Sequence, residues 1–377
     1  MKIILGIDEF TFTIIPDDTR MEIDEWHTEA EEIVDIFFQA SKSEYIFDGE
    51  KEPMFDKKPA GYTHSYNVGS KDYYLAVAYN DCHPDMGICV RFSAKAWAVY
   101  QANYRRKYDR EILLPELLRT IAYETEAKIR LSRIDFTADY FDSNIDLNKI
   151  YKSIKDDKIV IHDADGHRRI RTLNCNEIDK NVSTIYAGSR KENSKGFLRI
   201  YDKRKEQIQT NGFRKQEALA CAEWIRFEAV FKGTYAHQIT TEMLEQDMNA
   251  AELSKYIAYC IAYKYRFFDI DSGEYTDFTK ALIALIEEAD FTNLRSESPR
   301  DNSLHQNISY IMNGSGLFPT LYKIKELYGV GADREFLEHL FRCYQENDWQ
   351  SPSKMAELTL WLKKHDDLKR ITLSDNY

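Results

Sequence analysis

The chain has 377 residues, 43 % of them hydrophobic and 30 % charged, which is enough for two or three domains with a proper core. With 25 Tyr and 20 Phe it is too rich in aromatics for extended disorder, and no apolar run approaches the roughly 20 residues that span a bilayer. The net charge of −12 argues against a protein that coats nucleic acid generally, yet it leaves room for a local basic patch.

Residues 2–15 alternate as a strand, and Asp8 and Glu9 come too early for a signal-peptide core, so a cytoplasmic protein without membrane association is expected. Apolar residues at helical spacing (Ile23, Trp26, Ala30, Ile33, Val34, Phe37, Phe38) predict a helix over 22–41. Extended runs follow near Gly61–Val68, Tyr73–Tyr79 and Gly87–Phe92, then helices over 94–106 and 114–127. A second segment opens with a strand over 129–141 and a helix over 146–155. Strands are predicted around 158–163, 168–174, 182–188 and 196–203, a polar helix over 203–219, a strand over 223–232 and apolar helices through 238–268. A loop signal at Ser296–Ser303 precedes helices over 318–328, 333–347 and 353–365. No internal repeat of fixed period is evident. The pattern reads as α+β, with an N-terminal domain over 1–126, a second over 127–270 and a helical region over 271–377. The six cysteines, Cys82, Cys89, Cys175, Cys221, Cys260 and Cys343, never form C-x-x-C, so free thiols are expected in place of a zinc site or disulfides.

Cations concentrate in one stretch. Residues 187–215 hold Arg190, Lys191, Lys195, Arg199, Lys203, Arg204, Lys205, Arg214 and Lys215 against Glu192, Asp202 and Glu206, and His167-Arg168-Arg169-Ile170-Arg171 lies just upstream. A local patch on an acidic protein suits a binder that grips one DNA site. Side chains two apart on a strand share a face. Arg133, Asp135, Thr137 and Asp139 therefore line one face of their strand, and Arg226, Glu228 and Lys232, with Trp224 and Val230, line one face of another. In Phe197–Lys203, Arg199, Tyr201 and Lys203 lie on one side. Singly, the first strand reads equally well as solvated sheet, the second reads more readily so, and most of the 25 tyrosines must be structural. In combination they offer carboxylates for a hard divalent cation, cations for a phosphate and an oxygen nucleophile. The cations beside Tyr201 are expected to favour its phenolate.

Four segments in order, Ser132-Arg133-Ile134-Asp135…Asp139, Tyr186-Ala187-Gly188-Ser189-Arg190, Leu198-Arg199-Ile200-Tyr201-Asp202-Lys203…Glu206 and Trp224-Ile225-Arg226-Phe227-Glu228…Lys232, resemble the Rep_trans replication initiation factors. The resemblance implies a TATA-binding-protein-like N-terminal domain, a catalytic antiparallel sheet akin to rolling-circle nucleases, and a helical C-terminal region. It implies a DNA nicking and closing enzyme that initiates rolling-circle replication of a plasmid or mobile element. Tyr201 would be the nucleophile, and not Tyr186, with Arg199 and Lys203 as catalytic cations. Asp135 and Glu228 would hold Mg²⁺ or Mn²⁺. Where the family often has a second acid this chain has Val230, so Asp139 is the substitute ligand. Arg190, Lys191, Lys195, Arg204, Lys205, Arg168, Arg169 and Arg171 would bind DNA, single-stranded or as an extruded hairpin at an origin or transfer origin. A helicase or coupling protein and a homodimer are the further partners it suggests. The His-hydrophobic-His motif of commoner rolling-circle enzymes is missing. A conjugative relaxase, a prophage initiator and a non-catalytic DNA-binding module of the same fold are the alternatives. The lack of an evident N-terminal helix-turn-helix favours replication initiation.

Overall fold

The computed structural model describes residues 2–17, 21–56, 58–68, 74–168, 170, 172–191, 194–286, 308, 311–312, 316–346 and 362. Met1–Arg295 and Ser296–Tyr377 are separate compact units. The first unit holds thirteen strands among its described residues: β1 (Lys2–Ile15), β2 (Lys51–Pro53), β3 (His64–Val68), β4 (Leu75–Tyr79), β5 (Ile88–Phe92), β6 (Lys128–Phe141), β7 (Ile159–His162), β8 (Leu173–Ile178), β9 (Asn181–Ala187), β10 (Gly196–Asp202), β11 (Trp224–Lys232), β12 (Arg266–Asp269) and β13 (Glu274–Tyr275). Its helices are α1 (Ile23–Ser41), α2 (Ser43–Phe47), α3 (Ala94–Tyr108), α4 (Leu114–Glu124), α5 (Leu147–Lys155), α6 (Lys203–Gln209), α7 (Lys215–Ala220), α8 (Thr234–Glu245), α9 (Ala250–Lys264) and α10 (Asp277–Ala284).

Ten strands form one antiparallel sheet in the order β2-β3-β4-β5-β1-β6-β11-β10-β9-β8, and β13-β12-β7 form a small second sheet. The order reveals a duplication. Each half opens with a 14-residue strand, β1 or β6, followed by helix (α1 and α2, or α5), then strands of which the last, β5 or β11, returns beside the first, then two helices. The second half differs in sending β7 to the small sheet and inserting α6 and α7 before β11. The two long strands pair antiparallel at the centre, so the expected boundary near 126 falls between the halves of one continuous sheet. One sheet face, with Phe10, Phe12, Ile134, Phe136, Leu198, Ile200, Phe227 and Phe231, packs on helices that contribute Trp26, Phe37, Trp97, Leu118, Ile239 and Tyr256 to one core. The alternate residues of β6, β11 and β10 are thereby directed to the opposite face.

Most elements lie where the periodicity put them. Three differ. The strand expected at 168–174 is displaced to β8. The polar helix over 203–219 divides into α6 and α7, because Asn211 takes a left-handed φ of 51° before Gly212. The helical run through 238–268 breaks at Asn249, whose side chain caps α9 in a reciprocal pairing with Glu252, and its last residues form β12 instead. The second unit contains α11 (Leu317–Tyr328) and α12 (Ala332–Gln345), with Gly329 and Gly331 between them at positive φ; the helix expected over 353–365 lies outside the described residues except at 362. All six cysteines are free.

One glycine sets the approach of two strands. A Cβ on Gly196, the first residue of β10, would stand 2.2 Å from the Val230 carbonyl oxygen of β11. Gly196→Ala should therefore push β10 from β11 and destabilise the unit by at least about 1–3 kcal/mol, measured by urea unfolding; an unchanged midpoint would refute this packing account.

Candidate active site

The polar face of β6, β11, β10 and β9 is set by register. Asp135 stands opposite Val230, Thr137 opposite Glu228, and Asp139 opposite Arg226. Glu228 in turn stands opposite Arg199, and Arg226 opposite Tyr201. The three strands singled out by alternation thus converge on one surface, with Asp135 and Glu228 each only 1 % exposed.

The central strand β1 adds two acids. The β1–β6 register shifts between Ile7/Phe136 and Phe10/Ile134, leaving both Asp8 and Glu9 opposite Asp135. Such a bulge places consecutive residues on one face. Asp8 accepts from Arg226 Nη1 at 2.6 Å, and Glu9 lies 3.3 Å from Arg133 Nη1 and accepts from Arg91 Nη2 at 2.8 Å. Strict alternation would separate Asp8 from Glu9, so strand periodicity alone does not place them together on this face.

Arg133 donates from Nε and Nη2 to the two oxygens of Asp135, at 2.9 and 2.7 Å. Burial nevertheless pushes the Asp135 carboxyl up to about 7; Arg133 opposes the rise, while the negative charges of Glu228 and Glu9 add to it. Three neighbouring carboxylates with hard oxygen donors are chemically suited to Mg²⁺ or Mn²⁺, although among the described residues their ligand atoms do not gather within 4.8 Å of one another.

Tyr201 is buried and donates its hydroxyl to Glu228 Oε2 at 3.1 Å. Arg199 Nη2 donates to both oxygens of the same carboxylate, at 2.5 and 2.6 Å, and its Cζ lies 4.9 Å from the Tyr201 ring centre. Arg199 Nε is buried without a hydrogen-bond partner among the described residues. Lys203 Nζ lies 5.5 Å from the Tyr201 ring centre and pairs with Glu206 at 3.0 Å. The expectation of a phenolate-favouring environment is corrected here. Burial and the Glu228 charge raise the phenol well above its ordinary value, outweighing Arg226 and Arg199. In this state Tyr201 is a neutral hydrogen-bond donor.

Asp139 is engaged differently from Asp135 and Glu228. Arg226 donates from Nε and Nη2 to its two oxygens at 2.6 and 2.8 Å, and Arg214 Nη1 approaches at 3.3 Å. Burial works against the charge, but these arginines hold the carboxyl below its ordinary range.

The basic residues fall into groups. Arg190 and Lys191 are exposed beyond β9, with Lys195 on the approach to β10. Arg204 donates to the Cys221 carbonyl at 2.9 Å, and Lys205 pairs with Asp202 at 3.3 Å. Arg168, in the segment between β7 and β8, pairs with Asp157 at 2.6 Å; Arg169 and Arg171 lie outside the described residues. That segment also brings Asp163, Asp165 and His167 ligand atoms within 4.8 Å of one another. Asp163 Oδ1 accepts from the backbone N–H groups of Asp165 and His167, at 3.1 and 2.9 Å, so a tight turn assembles this candidate ligand group.

No described helix is long and apolar enough to cross a membrane. Residues 129–340 match the family described as replication initiation factor. No curated protein matches the chain. Among solved structures, the fold is similar to that of a rolling circle replication initiator protein from Geobacillus stearothermophilus, at a TM-score of 0.50 and 15 % identity, covering 78 % of this chain and 99 % of that one. The likeness is one of fold: helices with a mixed-order antiparallel sheet.

Proposed function

Because the chain belongs to the replication initiation factor family, we propose that it nicks and rejoins one DNA strand through Tyr201, initiating rolling-circle replication. The observation that carries this reading is the hydrogen bond from Tyr201 to Glu228, shared with Arg199, beside Asp135 on one sheet face. We read 1–126 as the TATA-binding-protein-like half and 127–270 as the nicking half.

The Tyr201 oxygen attacks the scissile phosphorus in line, the P–O3′ bond breaks, and a 5′-phosphotyrosyl link forms. The phenolic proton leaves along the bond to Glu228, and the departing 3′ oxygen takes up a proton to become the hydroxyl that primes synthesis. One phosphodiester replaces another, so no nucleotide cofactor is consumed. Arg199, whose Nε has no hydrogen-bond partner among the described residues, neutralises charge on the phosphoryl oxygens, with Lys203 beside the ring. Asp135 and Glu228 would hold the divalent ion, with Glu9 supplying the carboxylate that Val230 cannot. When bound, the ion neutralises non-bridging phosphate oxygens. Asp139, both oxygens on Arg226, positions the strand instead. The target must be unpaired, as in an extruded hairpin at an origin, since a buried tyrosine on a sheet cannot reach a closed duplex. A helicase or coupling protein would unwind behind the nick.

The test is incubation of labelled single-stranded origin DNA with protein and Mn²⁺, followed by denaturing electrophoresis. A retained protein–DNA adduct is expected. Intact binding without an adduct would leave a DNA-binding module that keeps the fold, the reading that Val230 favours. Metal binding should also compete with the Asp135 proton. Below a pH of about 7 the apparent Mn²⁺ affinity should fall about tenfold per pH unit, and above it the affinity should level off. Calorimetric titration across pH checks this, and a pH-independent affinity would remove Asp135 as a ligand.

A further inference from the structure

Two aromatic side chains on the polar face take no part in the core. Tyr186 of β9 and Phe197 of β10 belong to neither hydrophobic cluster nor to the apolar residues packed on them, and both are partly exposed. Tyr186 stands opposite Arg199, and Phe197 stands opposite Val230, itself opposite Asp135. The rings therefore share the face that carries Tyr201, Glu228 and Asp135. Their centroids are 6.4 Å apart with planes tilted by 50°.

The surroundings of the rings are unlike those of packing residues. Arg190 Cζ lies 4.3 Å from the Tyr186 ring centre, and Lys232 Nζ lies 5.6 Å from that of Phe197. Arg190 is exposed, so its guanidinium can leave the ring at small cost. Gly188, at φ 105°, lets the chain after β9 run close to β10, since a Cβ there would come 3.3 Å from the Phe197 Cα and Cβ. Asn176 Nδ2 reaches the Tyr186 hydroxyl at 3.5 Å and steadies its orientation.

Ring faces paired with cations are complementary to one kind of polymer: one that alternates flat π-systems with negative charge and keeps both accessible. Unpaired DNA does so, whereas a duplex hides its base faces. We propose that Tyr186 and Phe197 form a stacking platform for two unpaired bases beside the scissile phosphate, with Arg190 and Lys232 moving from the rings to the flanking phosphates. The proposal rests on the nicking reading for the identity of the strand and extends it to how that strand is held.

The test measures binding of the full chain to a fluorescent oligothymidylate and to an abasic strand of equal length. Tyr186→Leu and Phe197→Leu should each lose about 5- to 150-fold in affinity for oligothymidylate and nothing on the abasic strand. Tyr186→Phe and Phe197→Tyr should stay near wild type, and thermal melts of all four should show a folded protein. Leu variants that bind oligothymidylate like wild type would overturn the platform, as would equal losses on both strands, which mark a structural role. If wild type still forms its Tyr201 adduct in that case, the nicking reading survives alone. A wild type that binds no single strand would overturn both.

Discussion

The Tyr201→Phe variant will bind its single-stranded target as wild type does and will form no covalent adduct with it. The substitution removes one oxygen from a buried side chain and leaves Glu228 with both Arg199 contacts. The cost in stability is that of one hydrogen bond, about 1 kcal/mol, so the fold and the phosphate-binding cations persist. The loss in cleavage should be on the order of 10⁴-fold or more, the scale on which removing a nucleophile acts in covalent enzymes. Denaturing electrophoresis beside a thermal melt separates the two effects. Adduct formation by the variant would assign the chemistry to another residue.

Arg226→Met will cost the unit about 3–5 kcal/mol. Arg226 and Asp139 are each 3 % exposed at their side chains, and the guanidinium also donates to Asp8 at 2.6 Å. Three strands, β1, β6 and β11, are tied through this one side chain. Its removal strands the Asp139 carboxylate where water cannot solvate it and takes the Arg226 contact from the partly exposed Asp8, and Arg214 at 3.3 Å from Asp139 compensates only in part. The pH dependence follows in sign. In wild type Asp139 sits below its ordinary range, so its contribution is present above the unfolded carboxyl value of about 4 and fades as pH falls through the depressed native value. In Arg226→Met the buried Asp139 titrates upward, protonation relieves the penalty, and the deficit relative to wild type should shrink as pH falls. Urea unfolding at several pH values tests this, with Arg226→Met/Asp139→Leu expected to regain part of the loss. A deficit under about 1 kcal/mol, typical of a surface pair, would show that this network is not holding the strands.

The candidate site was legible in the sequence to the extent that it rests on local alternation. Asp135, Arg226, Glu228, Arg199 and Tyr201 were each placed on the polar side of a strand by the period of two, and cross-strand register joins those sides into one surface. Glu9 and Asp8 were not legible as site residues, because their shared direction comes from a bulge that exists only where β1 meets β6. The pairing of Tyr186 with Phe197 across strands has no counterpart in either strand's own pattern.

The sequence by itself determined the strands and their polar faces, the apolar stripes of the helices, the basic stretch after β9 and the order of the four motifs. These depend on side-chain periodicity and composition, which are properties of neighbours along the chain. Tertiary structure alone decided the duplicated architecture, in which two long strands distant in sequence pair at the centre of one sheet. It also decided the protonation of Tyr201 and the partition of the acids. A phenol beside cations is lowered in water, but here burial and Glu228 prevail. Asp135 and Asp139 are alike in sequence, yet burial, with neighbouring carboxylates adding to it, raises one, while Arg226 and Arg214 overcome burial and lower the other. Those outcomes follow from solvent exclusion and from charges brought together by folding, and neither is encoded in the spacing of residues along a strand.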